Sequence, residues 1–200
     1  MLPPSGENVL ATVAGQDMAK EATDVHLGAA AFPWFVPGVA VSVAVSLAVG
    51  GRVSRALGTC PGVAWTLLIS LGIILSATLT PVREALDLGA VGAGTCDLSR
   101  VALPPLARLL AVNDTSLNVL LFFPLGVSIA FIPRPSRRGF VALAAMALPF
   151  AIEATQLLVP WLDRTCQSAD IVDNVMGLVL GLGAGMVAAG LLHRLGDLRT

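Results

Sequence analysis

Long apolar segments separated by short polar stretches dominate the chain. Five of them approach the roughly 20 residues that an α-helix needs to cross the hydrocarbon core of a bilayer. They are Ala31–Gly50, Gly62–Thr80, Leu117–Ile132, Phe140–Val159 and Ile171–Leu192. These segments are too long for the strands of a membrane β-barrel, whereas a helix satisfies its own backbone hydrogen bonds in lipid. The pattern therefore predicts an all-α integral membrane helical bundle with about five transmembrane helices.

Composition supports the bilayer as the solvent of this chain. Hydrophobic residues make up 56% of its 200 residues and charged residues only 12%, against about 25% charged in a typical soluble domain. A chain this short cannot bury so much apolar surface in its own core. The net charge of −1 gives no basic field for nucleic acid, so membrane lipids are the partners that the composition favours.

Arginines predict the orientation of the bundle, because positive residues concentrate in cytoplasmic loops. The compact basic segments follow the first, third and fifth predicted helices. Their arginines are Arg52, Arg55, Arg134, Arg137, Arg138, Arg194 and Arg199. We therefore expect the N-terminus outside and the C-terminus in the cytoplasm. The chain then divides into a polar extracytoplasmic tail (1–29), two helices (30–80), an extracytoplasmic loop (81–116), a three-helix core (117–193) and a cytoplasmic tail (194–200).

The extracytoplasmic loops contain two of the three cysteines, Cys96 and Cys166. Because this compartment permits disulfides, we hypothesise a bridge between them; the alternative is two unrelated thiols. Cys60 falls near the cytoplasmic end of the second helix. The loop before the third helix also has helical apolar spacing over Ala102–Val112, which is typical of an interfacial helix, although a flexible loop is an open alternative. No pattern of cysteine and histidine spacing predicts a metal site.

Polar side chains recur near the predicted extracytoplasmic ends of the last three helices. They are Asn118, Glu153, Gln156, Arg164, Asp170, Asp173 and Asn174. Ionisable residues inside membrane helices are costly, so a carboxylate such as Glu153 must pair or become protonated. We predict that Glu153 pairs with Arg164, either directly or through Asn118, Gln156 or Asn174.

The fifth predicted helix also has a stripe of polar and small residues on one face. Asp170, Asn174, Gly177 and Gly181 follow one another at spacings of four, three and four residues. The two glycines permit close helix packing, and Gly126 in the third helix is a further small position. Two interpretations stay open: a structural clamp holding three helices together, and a polar cleft that opens outward to bind a ligand.

Three motifs in this region resemble those of the VanZ-like family of bacterial membrane proteins. The first is Asn118-Val-Leu-Leu-Phe122-Phe-Pro124-Leu125-Gly126, the second is Glu153-x-x-Gln156, and the third begins at Arg164 and continues along the stripe to Gly181. They occur in the family's order over roughly a third of the chain. The family's Asn-x-x-Pro-Phe element has only a partial counterpart here, from Arg100 to Pro105.

The resemblance implies a multi-pass protein of the bacterial cell membrane, linked in the family's namesake to glycopeptide resistance, notably to teicoplanin. It implies no catalytic residue and no cofactor. A non-enzymatic role in the cell envelope would use the cleft to bind a lipid-linked cell-wall precursor or a lipoglycopeptide. The alternatives are a membrane-embedded enzyme with Glu153 as general acid or base, and a transporter, which the absence of inverted-repeat symmetry disfavours.

Overall fold

The computed structural model describes residues 33–81 and 95–197 of the chain. In these ranges the helices are α1 (Phe35–Leu57), α2 (Pro61–Thr78), α3 (Leu106–Leu110), α4 (Asp114–Ala130), α5 (Pro135–Leu158) and α6 (Ser168–Asp197). Two short strands, β1 (Cys96–Asp97) and β2 (Cys166–Gln167), and a 3₁₀ turn at Pro160–Leu162 complete the elements. The predicted tail 1–29, part of the predicted loop 81–116 and the last three residues lie outside the described residues.

The structure confirms the all-α, membrane-bundle fold class. Four of the described helices, α1, α2, α5 and α6, are long and apolar enough to cross a membrane, and α4 is a shorter apolar helix of 17 residues. The sidedness of the termini stays a prediction.

Several helices extend beyond the predicted apolar segments. Arg52 and Arg55, expected in a loop, lie in the last turns of α1, which ends where Gly58 takes a left-handed conformation (φ 72°). Glycine adopts this conformation at helix ends without steric cost. The short α3 is only part of the predicted helix Ala102–Val112, because Pro105 at its N-cap has an extended backbone.

The closest helix pair is α4 against α6, and glycine makes this packing possible. A Cβ atom built at Gly177 would overlap the backbone of Val119, and one at Gly181 would overlap the backbone of Phe123. Gly126 meets the α6 backbone near Leu178 in the same way. Without side chains at these positions, the two backbones approach closely along several turns.

The remaining helices pack around this pair. Helix α1 packs on α2, α2 contacts α4, and α5 contacts both α4 and α6. The buried apolar cluster between them includes residues from four of these helices: Ile74, Phe122, Ile129, Ile152 and Leu178. Many long apolar side chains point away from the bundle, as expected for a surface covered by lipid.

Candidate functional site

Polar side chains gather at one end of the bundle, which we call the polar end. It consists of the last turns of α2 and α5, the first turns of α4 and α6, and the segments 95–104 and 159–167. An N-terminal capping box fixes the start of α4 here: the Asn113 side chain accepts a hydrogen bond from the Ser116 backbone N–H, and the Ser116 hydroxyl accepts one from the Asn113 N–H. The arginine-rich turn at Arg134–Arg138 is at the other end of α4.

A disulfide joins the two connecting segments of the polar end. Cys96 and Cys166 are bonded, with their Cα atoms 4.4 Å apart and a separation of 70 positions in the chain. Around this bond, β1 pairs with β2 in parallel, with Cys96 opposite Cys166 and Asp97 opposite Gln167. Outside the membrane helices, the Ser99 backbone N–H donates to the Asp97 carboxylate and lowers the pKa of that group. The segment 95–104 is thereby held against the start of α6.

Arg100 forms an ion pair with the carboxylate of Asp173 at the polar end. Its guanidinium lies 2.5 Å from the Asp173 oxygen, and Asp173 is only 1% exposed. Arg100 also donates to the carbonyl oxygen of Ala169, while the Ser168 hydroxyl donates to the carbonyl oxygen of Arg100. Sequence analysis predicted Asp173 as a site residue but missed Arg100. The sequence feature that could have indicated Arg100 is its place at the start of Arg100–Pro105, the segment that partly matches the family's Asn-x-x-Pro-Phe element.

Asn118 and Asp170 connect α4 to α6. The Asn118 side-chain amide donates to the Asp170 carboxylate at 2.8 Å. Asn174 lies one turn further along the stripe and is buried, with 1% of its surface exposed. A carboxylate in the first turn of α6 is also favoured by the partial positive charge of a helix N-terminus.

The charges of Glu153 and Arg164 interact in the structure, while the hydrogen bond that Glu153 accepts comes from the backbone. The buried Glu153 carboxylate accepts a 2.7 Å hydrogen bond from the backbone N–H of Gln167, just before α6 begins. A backbone donor at this point satisfies the carboxylate without a counter-charge in direct contact.

Arg164 and Gln156 instead bind carbonyl oxygens at the C-terminal end of α2. The Arg164 guanidinium donates to the carbonyl oxygens of Ala77 (2.8 Å) and Thr80 (3.3 Å), and the Gln156 amide donates to that of Thr78 (3.0 Å). The last carbonyls of a helix have no partner within the helix and carry partial negative charge. Burial lowers the pKa of Arg164, while the nearby carboxylates of Asp170 and Glu153 oppose this effect. The guanidinium stays charged at neutral pH.

A cavity of about 680 Å³ opens beside these groups, between α1, α2 and α4. We call it the amphipathic cavity, because charged groups lie at one end and apolar side chains form its walls. Its polar lining includes Asp114, Asn118, Arg164 and Asp170. Its apolar lining includes Phe35, Ile73, Leu117, Leu120, Leu121 and Pro124. Cavities of this size bind small molecules in other proteins.

The predicted site residues thus separate into two groups. Asn118, Arg164 and Asp170 line the cavity, whereas the others hold elements of the polar end together. The second group is Glu153, Gln156 and Asp173. Asn174 is buried on α6, and the predicted glycines lie in the α4–α6 contact. Within residues 33–81 and 95–197, no group of three or more histidine, cysteine or acidic side chains is arranged to hold a metal ion.

The polar end falls within the part of the chain that matches a known family. A family model described as VanZ/LLP1 matches residues 78–189, more than half of the chain. This range includes every residue of the three sequence motifs and both bridged cysteines. No curated protein and no solved structure matches the chain.

Proposed function

This chain belongs to the VanZ/LLP1 family, and from that premise we propose that it modulates glycopeptide susceptibility in a bacterial cell membrane, using the amphipathic cavity to bind an amphipathic ligand. The observation that carries the proposal is the cavity itself, with Asn118, Arg164 and Asp170 at one end and a continuous apolar wall below them. A ligand with a polar head and a hydrocarbon chain matches both parts.

The opening of the cavity favours entry from the bilayer. Leu117 and Leu120 line it and yet remain 54% and 63% exposed, on the outside of the helical bundle. In a membrane, that side is covered by lipid. A ligand already dissolved in the bilayer therefore reaches the cavity without passing through water, and a lipid-linked cell-wall precursor or a lipoglycopeptide has this property.

The polar side chains that line the cavity are already held by hydrogen bonds in the absence of a ligand. Arg164 is fixed by the carbonyl oxygens of Ala77 and Thr80, and Asp170 by the amide of Asn118. Side chains already held in one conformation lose little entropy when a ligand binds. The same contacts would also act as a clamp, so the two interpretations of the sequence are compatible.

Susceptibility assays test the proposal. The full chain is expressed in a glycopeptide-sensitive Gram-positive host, and growth inhibition by teicoplanin and by vancomycin is compared with the empty vector. We expect the chain to change susceptibility to teicoplanin. Arg164→Ala and Asp170→Asn should abolish this change while the amount of protein in the membrane, measured by immunoblot, is unchanged.

Arg108→Ala is the matched control, because Arg108 is an exposed arginine of the same connecting region and does not line the cavity. It should behave like the unmodified chain. Unchanged susceptibility on expression of the unmodified chain would refute the proposal. Loss of the protein from the membrane in both cavity variants would assign the polar residues to folding alone.

A further inference from the structure

Among the described residues, the charged groups that line the amphipathic cavity do not balance. Asp114 and Asp170 contribute two carboxylates, and Arg164 contributes one guanidinium. Arg164 donates to the carbonyl oxygens of Ala77 and Thr80, and its charge also acts on Asp170. The second arginine of the polar end, Arg100, is paired with Asp173, a carboxylate outside the cavity.

The two carboxylates are close enough to repel each other. Both carboxylates line the same cavity, and Asp170 lies among the charges of Asp173, Asp114 and Arg100 while it accepts the hydrogen bond from Asn118. Asp114 is exposed at the first position of α4, and no described cationic side chain forms an ion pair with it. Like charges facing one cavity are relieved by a cation placed between them.

We propose that the amphipathic cavity selects amphiphiles with a cationic amine head, which Asp114 and Asp170 bind while the hydrocarbon chain lies against the apolar side of α4. This inference rests on the proposed function and narrows its ligands to amphiphiles with a cationic head, which excludes a precursor that is linked to its lipid through phosphate. An ammonium group donates several hydrogen bonds and suits the space between two carboxylates.

The apolar side of the cavity has the extent that such a ligand needs. Along α4, Leu117, Leu121 and Pro124 line it at positions three, seven and ten residues after Asp114. At the rise of an α-helix, this wall is about 15 Å long. An alkyl chain placed along it buries apolar surface in proportion to its length and extends toward the bilayer core.

Charge explains why an anionic head would be disfavoured. A phosphate or sulfate at the same depth would face both carboxylates, and its attraction to Arg164 would be opposed by their repulsion. Like-charge contact is an effective way to exclude a wrong ligand. The cavity is therefore expected to discriminate by the sign of the headgroup among ligands with the same tail.

Competition binding tests the inference with the full chain in phosphatidylcholine nanodiscs. Radiolabelled dodecylamine is the probe, and unlabelled dodecylamine, dodecanol and dodecyl phosphate are the competitors. Dodecylamine should compete most strongly, dodecanol less and dodecyl phosphate least. Equal competition by the three compounds, or a preference for dodecyl phosphate, would overturn the inference.

Variants locate the amine. Asp114→Asn should weaken dodecylamine binding about five-fold, the effect of losing one partly exposed ion pair, and Asp170→Asn should do the same. Asp97→Asn is the matched control, because Asp97 is an exposed carboxylate of the polar end outside the cavity. If Asp170→Asn fails to fold, Asp114→Asn still decides the question. Unchanged binding in a folded Asp114→Asn protein contradicts the inference.

Two further arms identify the source of the amine and separate this inference from the proposed function. Loss of dodecylamine binding in nanodiscs containing phosphatidylethanolamine indicates that an amine-bearing lipid occupies the site, and retained binding indicates a free amphiphile. Both results preserve the amine site.

If susceptibility depends on Arg164 and Asp170 while dodecylamine does not bind, the proposed function stands and the amine preference fails. If dodecylamine binds but susceptibility does not change, the amine preference stands and the proposed function fails.

Discussion

Arg100 and Asp173 form an ion pair across 73 residues of the chain, with the guanidinium 2.5 Å from a carboxylate that is almost fully buried. The pair fixes the segment 95–104 on the first turns of α6. It thereby connects the least regular part of the described structure to the helix that contacts α4 most closely.

Removing the arginine should destabilise the protein. Arg100→Ala leaves the Asp173 charge buried without a counter-ion, and breaking a buried pair in this way costs about 3 kcal/mol or more. Thermal unfolding in a mild detergent measures the effect. The double variant with Asp173→Asn should recover part of the loss because no unpaired charge remains, and Arg108→Ala should have little effect. A full loss in the double variant would show that Arg100 acts through packing rather than charge.

A methyl group on the α4-facing side of α6 should separate the two helices. Gly177→Ala places a Cβ atom on the Val119 backbone, which cannot move aside as a side chain could, so we expect a loss of about 1–3 kcal/mol. Gly183→Ala is the control, since a Cβ there meets nothing within 4 Å. Unfolding temperatures of the two variants give the comparison. Equal temperatures would contradict the close packing of α4 and α6.

The Cys96–Cys166 bond should stabilise the polar end. It closes a loop of 70 residues, for which the chain-entropy account gives at most about 4 kcal/mol. Helices that remain in the membrane after unfolding reduce this value. Cys96→Ser and Cys166→Ser should lower the unfolding temperature equally, and Cys60→Ser should not. Mass spectrometry under non-reducing conditions should detect the bridged peptide pair. Free thiols at both positions would show that the bond does not form in the cell.

Cys60 provides a test of the orientation in the unmodified chain. It is exposed and is the free cysteine of the protein, at the start of α2 near the turn Arg134–Arg138. If this end is cytoplasmic, a membrane-impermeant maleimide should label Cys60 in inside-out vesicles and not in intact cells. Val112→Cys in a Cys60→Ser background reports on the polar end, because Val112 is 93% exposed. Labelling of Cys60 from outside would reverse the orientation.

The sequence predicted the helices and the face of α6 that packs, because both depend on local periodicity. Asp170, Asn174, Gly177 and Gly181 could be assigned to one stripe from their spacing alone. Helix ends were less predictable, since Arg52 and Arg55 are compatible with either a loop or the last turns of α1.

Partners at the polar end could not be read from the sequence. The Glu153 carboxylate is satisfied by the backbone N–H of Gln167, and backbone donors leave no mark in side-chain identity. Arg164 donates to backbone carbonyl oxygens, and side-chain identity does not reveal such acceptors either. Arg100 contacts Asp173 from a segment of irregular structure that a disulfide joins to β2, and no periodic pattern specifies such a contact.

The length of α4 has a consequence for the surrounding lipid. Its 17 residues extend about 26 Å, whereas the hydrocarbon layer of a typical membrane is about 30 Å thick. A helix shorter than the layer draws the headgroups and water inward around it. The bilayer should therefore be thinner beside Asp114. Water at this lowered membrane surface would reach the charged end of the amphipathic cavity.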